Sequence, residues 1–294
     1  MAVGHASSAP IESFGASAGT TVHTHRWIPY NTQDPQDCTK PMGKKNNAPD
    51  YGNWVSTKLI YVPAALTAVF AALSFLWTPL LIGAFLGILS AGYFLYAHRQ
   101  FSTSGGNLQA RIRDTVLTTL KWEGTGRLLD VGCGNGALAI EAARRHPGAQ
   151  TIGIDCWGGQ WEYSIECCEN NARLAAVSER TTFRKASAAS LPFPDGSFDV
   201  VVSNMVFHEV KELQDKREVV REALRVLKKG GLFVFQDLFM WKAAYGESQA
   251  LVSTVRSWGV EEVELIDTSR QPFIPRALKL PFMVGKIGLL YGRK

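Results

Sequence analysis

The chain has 294 residues, 46% of them hydrophobic, with a formal net charge of +5 and five cysteines. That length leaves room for one α/β domain and an appendage. The charge is modest, with no Arg/Lys stripe interleaved with aromatics, which argues against a nucleic-acid partner. The cysteines (Cys38, Cys133, Cys156, Cys167, Cys168) show neither a pairing framework nor metal spacing and suit a reducing compartment.

Residues 1–50 are rich in Ala, Ser, Gly, Thr, Asn and Pro and lack apolar periodicity. They read as a disordered polar tail or an adapter lying on a membrane. No charged n-region followed by an apolar run stands near Met1, so no secretory signal is expected. His23 and His25 read as tail residues rather than as a metal pair.

From Leu59 to Ala97 there is no Asp, Glu, Lys or Arg in 39 residues. Two apolar stretches, 59–77 and 80–97, flank Thr78-Pro79, and each approaches the length needed to cross the roughly 30 Å hydrocarbon core. Residues 51–98 are therefore expected to form a transmembrane helical hairpin, either spanning or re-entrant. Tyr61, Trp77, Tyr93 and Tyr96 near its ends suit interface aromatics. Lys44, Lys45 and Lys58 precede it, and Arg99, Arg111 and Arg113 follow. The positive-inside rule then makes this an integral membrane protein with both ends, and the domain that follows, on the cytoplasmic side. A buried hairpin in a soluble core is the alternative.

Residues 99–123 form a linker and then an amphipathic helix over 108–122, with Leu108, Ile112, Val116, Leu117 and Leu120 at helical spacing. Gly105-Gly106 gives either a hinge or an ordinary link.

Leu128–Gly136 reads Leu-Leu-Asp-Val-Gly-Cys-Gly-Asn-Gly and leads into a helical pattern over Ala137–His146. A strand, glycine turn and helix bring backbone N–H groups and a helix N-terminus to a nucleotide-like ligand. The Gly132-x-Gly134-x-Gly136 spacing is neither the dinucleotide fingerprint nor a P-loop. Asp130, ending the strand, would repel a pyrophosphate but attract a ligand bearing an ammonium and a sulfonium. A second strand, Thr151–Asp155, closes in an acid 23 residues after Gly132, where a ribose-binding carboxylate belongs. Ala186–Asp199 then leads into a strand at 200–203. Glu222–Asp237 reads as a helix, a Gly-Gly break and a fifth strand. A helix near 247–258 and strands near 260–266 and 286–291 close the chain. The apolar and basic segment 270–285 between those strands lies on headgroups, roofs the substrate pocket or packs on the sheet.

Together these motifs resemble the class I S-adenosylmethionine-dependent methyltransferases, most closely the ubiquinone/menaquinone and sterol-type branch, over about Arg111–Lys294. The resemblance implies a Rossmann-like α/β domain at 124–294, with a seven-stranded sheet carrying helices on both faces and its own core. Its cofactor would be S-adenosyl-L-methionine. Asp130, Gly132, Cys133, Gly134, Asn135 and Gly136 match the methionine loop, and Asp155 with Cys156 the ribose acid. Ser187, followed by Ala188, stands where the family carries an aspartate that accepts from the adenine amino group. Adjacent Cys167-Cys168 reads as helix packing, or as thiol chemistry of the kind in arsenic-methylating relatives. The helix before the first strand closes over the donor in relatives.

Chemistry is expected after the fourth strand, at Asn204 and at His208 oriented by Glu209. His208 is a general base for a hydroxyl or phenol nucleophile, or else lines the site. The expected protein is a membrane-anchored methyltransferase with a lipophilic acceptor (lipid, quinone or isoprenoid-like), in contact with the lipid bilayer. A small soluble acceptor, or a non-catalytic S-adenosylmethionine-binding membrane module, are the other readings.

Overall fold

In the computed structural model, residues 48–158 and 163–294 are described. The expectations for the polar tail before residue 48, including His23, His25, Cys38, Lys44 and Lys45, fall outside the described residues.

Seven strands make one sheet in the order β3-β2-β1-β4-β5-β7-β6. They are β1 (Gly126–Val131), β2 (Ala149–Asp155), β3 (Thr181–Lys185), β4 (Phe198–Asn204), β5 (Leu227–Asp237), β6 (Glu262–Asp267) and β7 (Gly288–Arg293). β1 to β5 run parallel, and β7 inserts antiparallel between β5 and β6. The strand order reverses between β1 and β4, and ligands in open α/β sheets bind at the carboxyl ends there. Leu128, Leu129 and Val131 are fully buried, as a strand covered on both faces requires.

The helices in chain order are α1 (Lys58–Leu73), α2 (Leu80–Phe101), α3 (Leu108–Thr119), α4 (Ala137–Arg145), α5 (Ile165–Leu174), α6 (Lys216–Arg225), α7 (Lys242–Tyr245) and α8 (Ser248–Ser257). Ser164 caps α5 by accepting from the Cys167 N–H, and Asp215 caps α6 by accepting from the Arg217 N–H. The Gly230-Gly231 pair, expected to break the chain, lies inside β5, and a register shift at Phe198/Val200 of β4 absorbs the irregularity.

Residues 58–101 do form a helical hairpin, but its first arm is shorter than the apolar stretch. α1 has 16 residues and ends at Leu73, where Ser74 turns its hydroxyl back to the Ala71 carbonyl. At 1.5 Å per residue it is about 24 Å long, short of the roughly 30 Å core, whereas 22-residue α2 reaches about 33 Å. Among the described residues, α2 alone is long and apolar enough to cross a membrane. The arms meet closely because Gly87 leaves room, since a Cβ there would sit 2.2 Å from Thr67 Oγ1. α1 buries no residue, and at the tip Phe75 is 93% exposed and Leu76 85%.

The base of the hairpin is different. Ala97 and Phe101 of α2 pack with Val55, with Leu108 and Ile112 of α3, and with Ile274, Leu278, Val284 and Ile287 of the C-terminal segment. The α/β domain therefore does not keep its whole core to itself. Segment 270–285 also divides between two of its expected roles: Ile274 and Leu278 are buried, while Leu280 and Phe282 face outward.

Candidate active site

A cavity of about 1070 Å³ opens at the carboxyl ends of β1, β2 and β4. Asp130, Gly132, Cys133, Gly134 and Asn135 line it from the first loop, and Asp155 and Cys156 from the end of β2. Ser187, Ala188, Asn204, His208 and Glu209 complete the expected set. Gly136 does not line the cavity. It serves the loop from behind, at φ +81°, where a Cβ would meet the Phe183 ring at 2.9 Å.

Two carboxylates build the loop. Asp130 is buried, and its Oδ2 accepts the Ala139 N–H at 3.0 Å, which satisfies one open donor in the first turn of α4. Burial pushes its pKa up to about 7, with the Ala139 hydrogen bond opposing and the Asp155 charge adding. Asp155 accepts the Gly134 N–H at 2.9 Å through Oδ2 and the Trp157 N–H at 3.0 Å through Oδ1. The Trp157 indole N–H and the Cys168 thiol both donate to the Gly134 carbonyl, at 2.8 and 3.0 Å. Gly132 has φ +73°, and a Cβ on it would lie 2.2 Å from Val206. Cys133 and Cys168 are buried packing groups; burial raises the Cys133 thiol well above its ordinary value and takes half-buried Cys167 to about 11. Asn135 holds the loop to its neighbours, accepting from the Ser164 N–H at 3.2 Å and donating to the Asp50 carbonyl at 3.4 Å.

His208 sits in a 3₁₀ turn, Phe207–Glu209, just past β4. Its Nδ1 pairs with Asp237 Oδ1 at 2.7 Å, while Glu209 lies 3.8 Å from Nε2. Orientation therefore falls to Asp237, at the end of β5, and not to the expected Glu209. Asp237 is fully buried and also accepts the N–H groups of Val206 at 3.0 Å and Leu238 at 2.6 Å. The turn is set up by Met205 at φ +62°, a left-handed conformation that a non-glycine residue adopts at some cost. Burial depresses the His208 pKa, but the charge and hydrogen bond of Asp237, helped by Glu209 and opposed by Lys216, lift it above the ordinary value.

The cavity fits a zwitterionic nucleoside. Arg113 of α3 stands in its wall, stacked over the Tyr51 ring at 5.6 Å, and among the described residues forms no ion pair. Burial lowers its pKa, yet a guanidinium stays charged. Asn204 Oδ1 is buried without a hydrogen-bond partner among the described residues. The wall thus offers a cation for a carboxylate and an acceptor for an ammonium. At Ser187 the hydroxyl donates to Glu212 Oε1 at 2.8 Å and accepts from the Ala189 N–H at 3.1 Å. Glu212, which holds the Ser187 hydroxyl, also lines the cavity and places a carboxylate beside it.

Arg113, Trp157, Glu212 and Asp237 are the residues that sequence reasoning passed over. Asp237 alone carried a signal, as a third acid ending a strand after Asp130 and Asp155.

The sheet order, the glycine loop and this cavity define a Rossmann-like methyltransferase domain. Residues 129–235, from β1 to β5, match the family model described as "Methyltransferase domain". The chain is 36% identical over 130 residues to the 27-O-demethylrifamycin SV methyltransferase of Amycolatopsis mediterranei, covering 44% of this chain and 45% of that protein. It is 37% identical over 131 residues to the malonyl-[acyl-carrier protein] O-methyltransferase of Geobacter sulfurreducens, with 44% and 45% covered. To the ubiquinone/menaquinone biosynthesis C-methyltransferase of the same organism it is 31% identical over 128 residues, with 43% and 47% covered. The chain spans somewhat under half the length of these curated relatives. Residues 129–235 are thus similar to a methyltransferase domain of the kind that uses S-adenosylmethionine.

Proposed function

We propose that the protein is a membrane-anchored methyltransferase that moves a methyl group from S-adenosylmethionine to a lipophilic acceptor: a lipid, quinone or isoprenoid-like molecule. One observation carries this reading. The glycine loop and His208, which Asp237 holds from behind, share a cavity whose wall also includes Leu59 and Phe94 of the apolar hairpin. The names of two relatives, concerned with quinone biosynthesis and a rifamycin, agree with an acceptor of this class.

The donor supplies an electrophilic methyl group on a sulfonium. Arg113 takes the carboxylate of its methionine part, and Asn204 with the Asp130 side of the loop takes the ammonium. Asp155 faces the ribose hydroxyls, and Glu212 faces the base. His208 has Nδ1 committed to Asp237, so Nε2 accepts the proton of the acceptor hydroxyl, and Asp237 stabilises the imidazolium that results. The remaining acceleration is positional, from holding nucleophile and methyl group together.

The hairpin tip enters the bilayer, with the α/β domain on the cytoplasmic face. Lys58 and Arg99, both exposed at the ends of the helices, favour that side. Because α1 is short, the hairpin dips into the bilayer on its first arm rather than spanning it twice. The test incubates detergent-solubilised protein with methyl-labelled donor and total membrane lipid extract. Label is expected in the organic phase; label confined to the aqueous phase rejects the lipophilic acceptor and leaves a small soluble one.

A further inference from the structure

The hairpin does more than border the α/β domain. Leu59 at the start of α1, and Phe94 and Phe101 towards the end of α2, line the same cavity as Gly132 and His208. Phe282, Met283 and Val284 of the C-terminal segment line it too. That segment is fastened to α2, since the Tyr93 hydroxyl donates to the Ala277 carbonyl at 3.1 Å and the Tyr93 ring meets Phe282 edge-on at 6.2 Å. Phe282 borders the cavity and is still 67% exposed. It therefore joins the cavity to the outward apolar surface of the hairpin. At about 1070 Å³ the cavity stands at the upper end of the roughly 300–1,000 Å³ typical of ligand pockets.

We infer that the base of the hairpin and residues 280–284 form the entry port for the acceptor, which is loaded directly from the bilayer. This rests on the membrane-anchored reading above. The chemistry of the walls specifies an amphiphile. Its apolar chain runs between Leu59, Phe94 and Phe282, and its hydroxyl head reaches Nε2 of His208. Exposed Lys58, Arg99 and Arg276 sit at this base, where they face anionic headgroups while the apolar tip inserts. Anchor and acceptor site are one structure, and the acceptor need not leave the lipid phase to be methylated.

The test uses the full chain and mixed phosphatidylcholine–phosphatidylglycerol vesicles. Phe94→Glu and Phe282→Glu place a charge in the port, Phe94→Leu restores apolar character, and Phe75→Glu alters the tip alone. Three quantities are read: co-flotation with vesicles, S-adenosylhomocysteine affinity by calorimetry, and label transfer from methyl-labelled donor to membrane lipid extract in detergent micelles. The port variants should float and bind S-adenosylhomocysteine like the parent chain, yet transfer label about tenfold more slowly or worse, because a charge is costly on an apolar wall. Phe94→Leu should recover most of the rate, and Phe75→Glu should lose flotation while keeping transfer in micelles. Glutamate variants that transfer label at the parent rate overturn the port while leaving the anchored enzyme intact. A parent chain that does not float, or labels no lipid, removes the membrane reading and the port with it.

Discussion

His208 is subject to opposed influences. Burial favours the neutral imidazole, and Lys216 works the same way, while Asp237 and Glu209 favour the cation and prevail. Only the neutral form accepts a proton, so turnover should rise with pH through a value above the ordinary 6.5 or so. Removing the Asp237 charge should move that rise to lower pH, so Asp237→Asn is expected to shift the profile down as well as lower its plateau. His208→Ala should cut turnover by roughly 10²–10⁴ with S-adenosylhomocysteine affinity nearly constant. A His208→Gln variant with near-parent turnover would reduce His208 to a pocket-lining residue. Glu212 places its carboxylate beside Ser187. Glu212 is well exposed, so a hydrogen bond from the base to its carboxylate would be worth less than a buried one, roughly 0.5–1.5 kcal/mol. Glu212→Gln should weaken S-adenosylhomocysteine by that amount. It should leave S-inosylhomocysteine, which lacks the amino group, unchanged. Equal losses for both ligands would show that Glu212 does not face the base.

At the scale of elements, the β1–loop–α4 unit depends on backbone that no side chain can occupy. Gly132 combines φ +73° with Val206 pressed against the position a Cβ would take. Gly132→Ala should therefore cost more than the loss of flexibility, displacing the 205–208 turn that carries His208. Calorimetry should find donor affinity reduced by about tenfold or more, with a lowered Tm. Parent-like affinity would mean that the loop and the 205–208 turn move independently. This unit was readable in the sequence because its signals are local: an apolar run, an acid, spaced glycines and a helical period. The Asp155 strand was readable for the same reason. Arg113 was not, and Asp237 was readable only as an acid ending a strand, since nothing within five residues of either reports that β5 lies beside β4 or that α3 leans over the loop. Sheet order and helix docking create their roles. The short first arm of the hairpin escaped for another reason. An apolar run fixes which residues avoid water, but not where a helix within it stops: α1 ends at Leu73, inside the apolar stretch.

Across the whole molecule, a short segment before α1 ties the candidate donor site to the hairpin. Asp50 donates its N–H to Asn171 Oδ1 at 2.9 Å and accepts at its carbonyl from Asn171 Nδ2 at 2.7 Å, while Tyr51 covers Arg113. Trp54 and Val55 line the cavity, Trp54 donates its N–H to Gln109 Oε1 at 3.2 Å, and Asn53 Nδ2 reaches the His98 carbonyl at 2.9 Å. One strap thus joins α5, α3 and the end of α2 across the glycine loop. The sequence alone suggested that the domain could dispense with its first 97 residues, because the glycine-loop unit has its own core. The structure argues otherwise. Deleting residues 1–97 strips Val55 and Ala97 from the cluster around Phe101, Leu108, Ile112 and Ile287, and it uncovers Arg113. Losing buried apolar partners of this size costs on the order of 2–5 kcal/mol, and the bared cluster favours association. The truncated chain should melt several degrees lower, self-associate, and bind S-adenosylhomocysteine about tenfold more weakly or worse. A milder variant, Asn171→Ala in the full chain, cuts the two hydrogen bonds to Asp50 and those to the Asn135 carbonyl and Cys167 Sγ. It should weaken donor binding while leaving vesicle flotation intact. A truncated chain that stays monomeric and binds the ligand as tightly as the parent would show that the strap merely rests on the donor site, and that anchor and catalysis are separable after all.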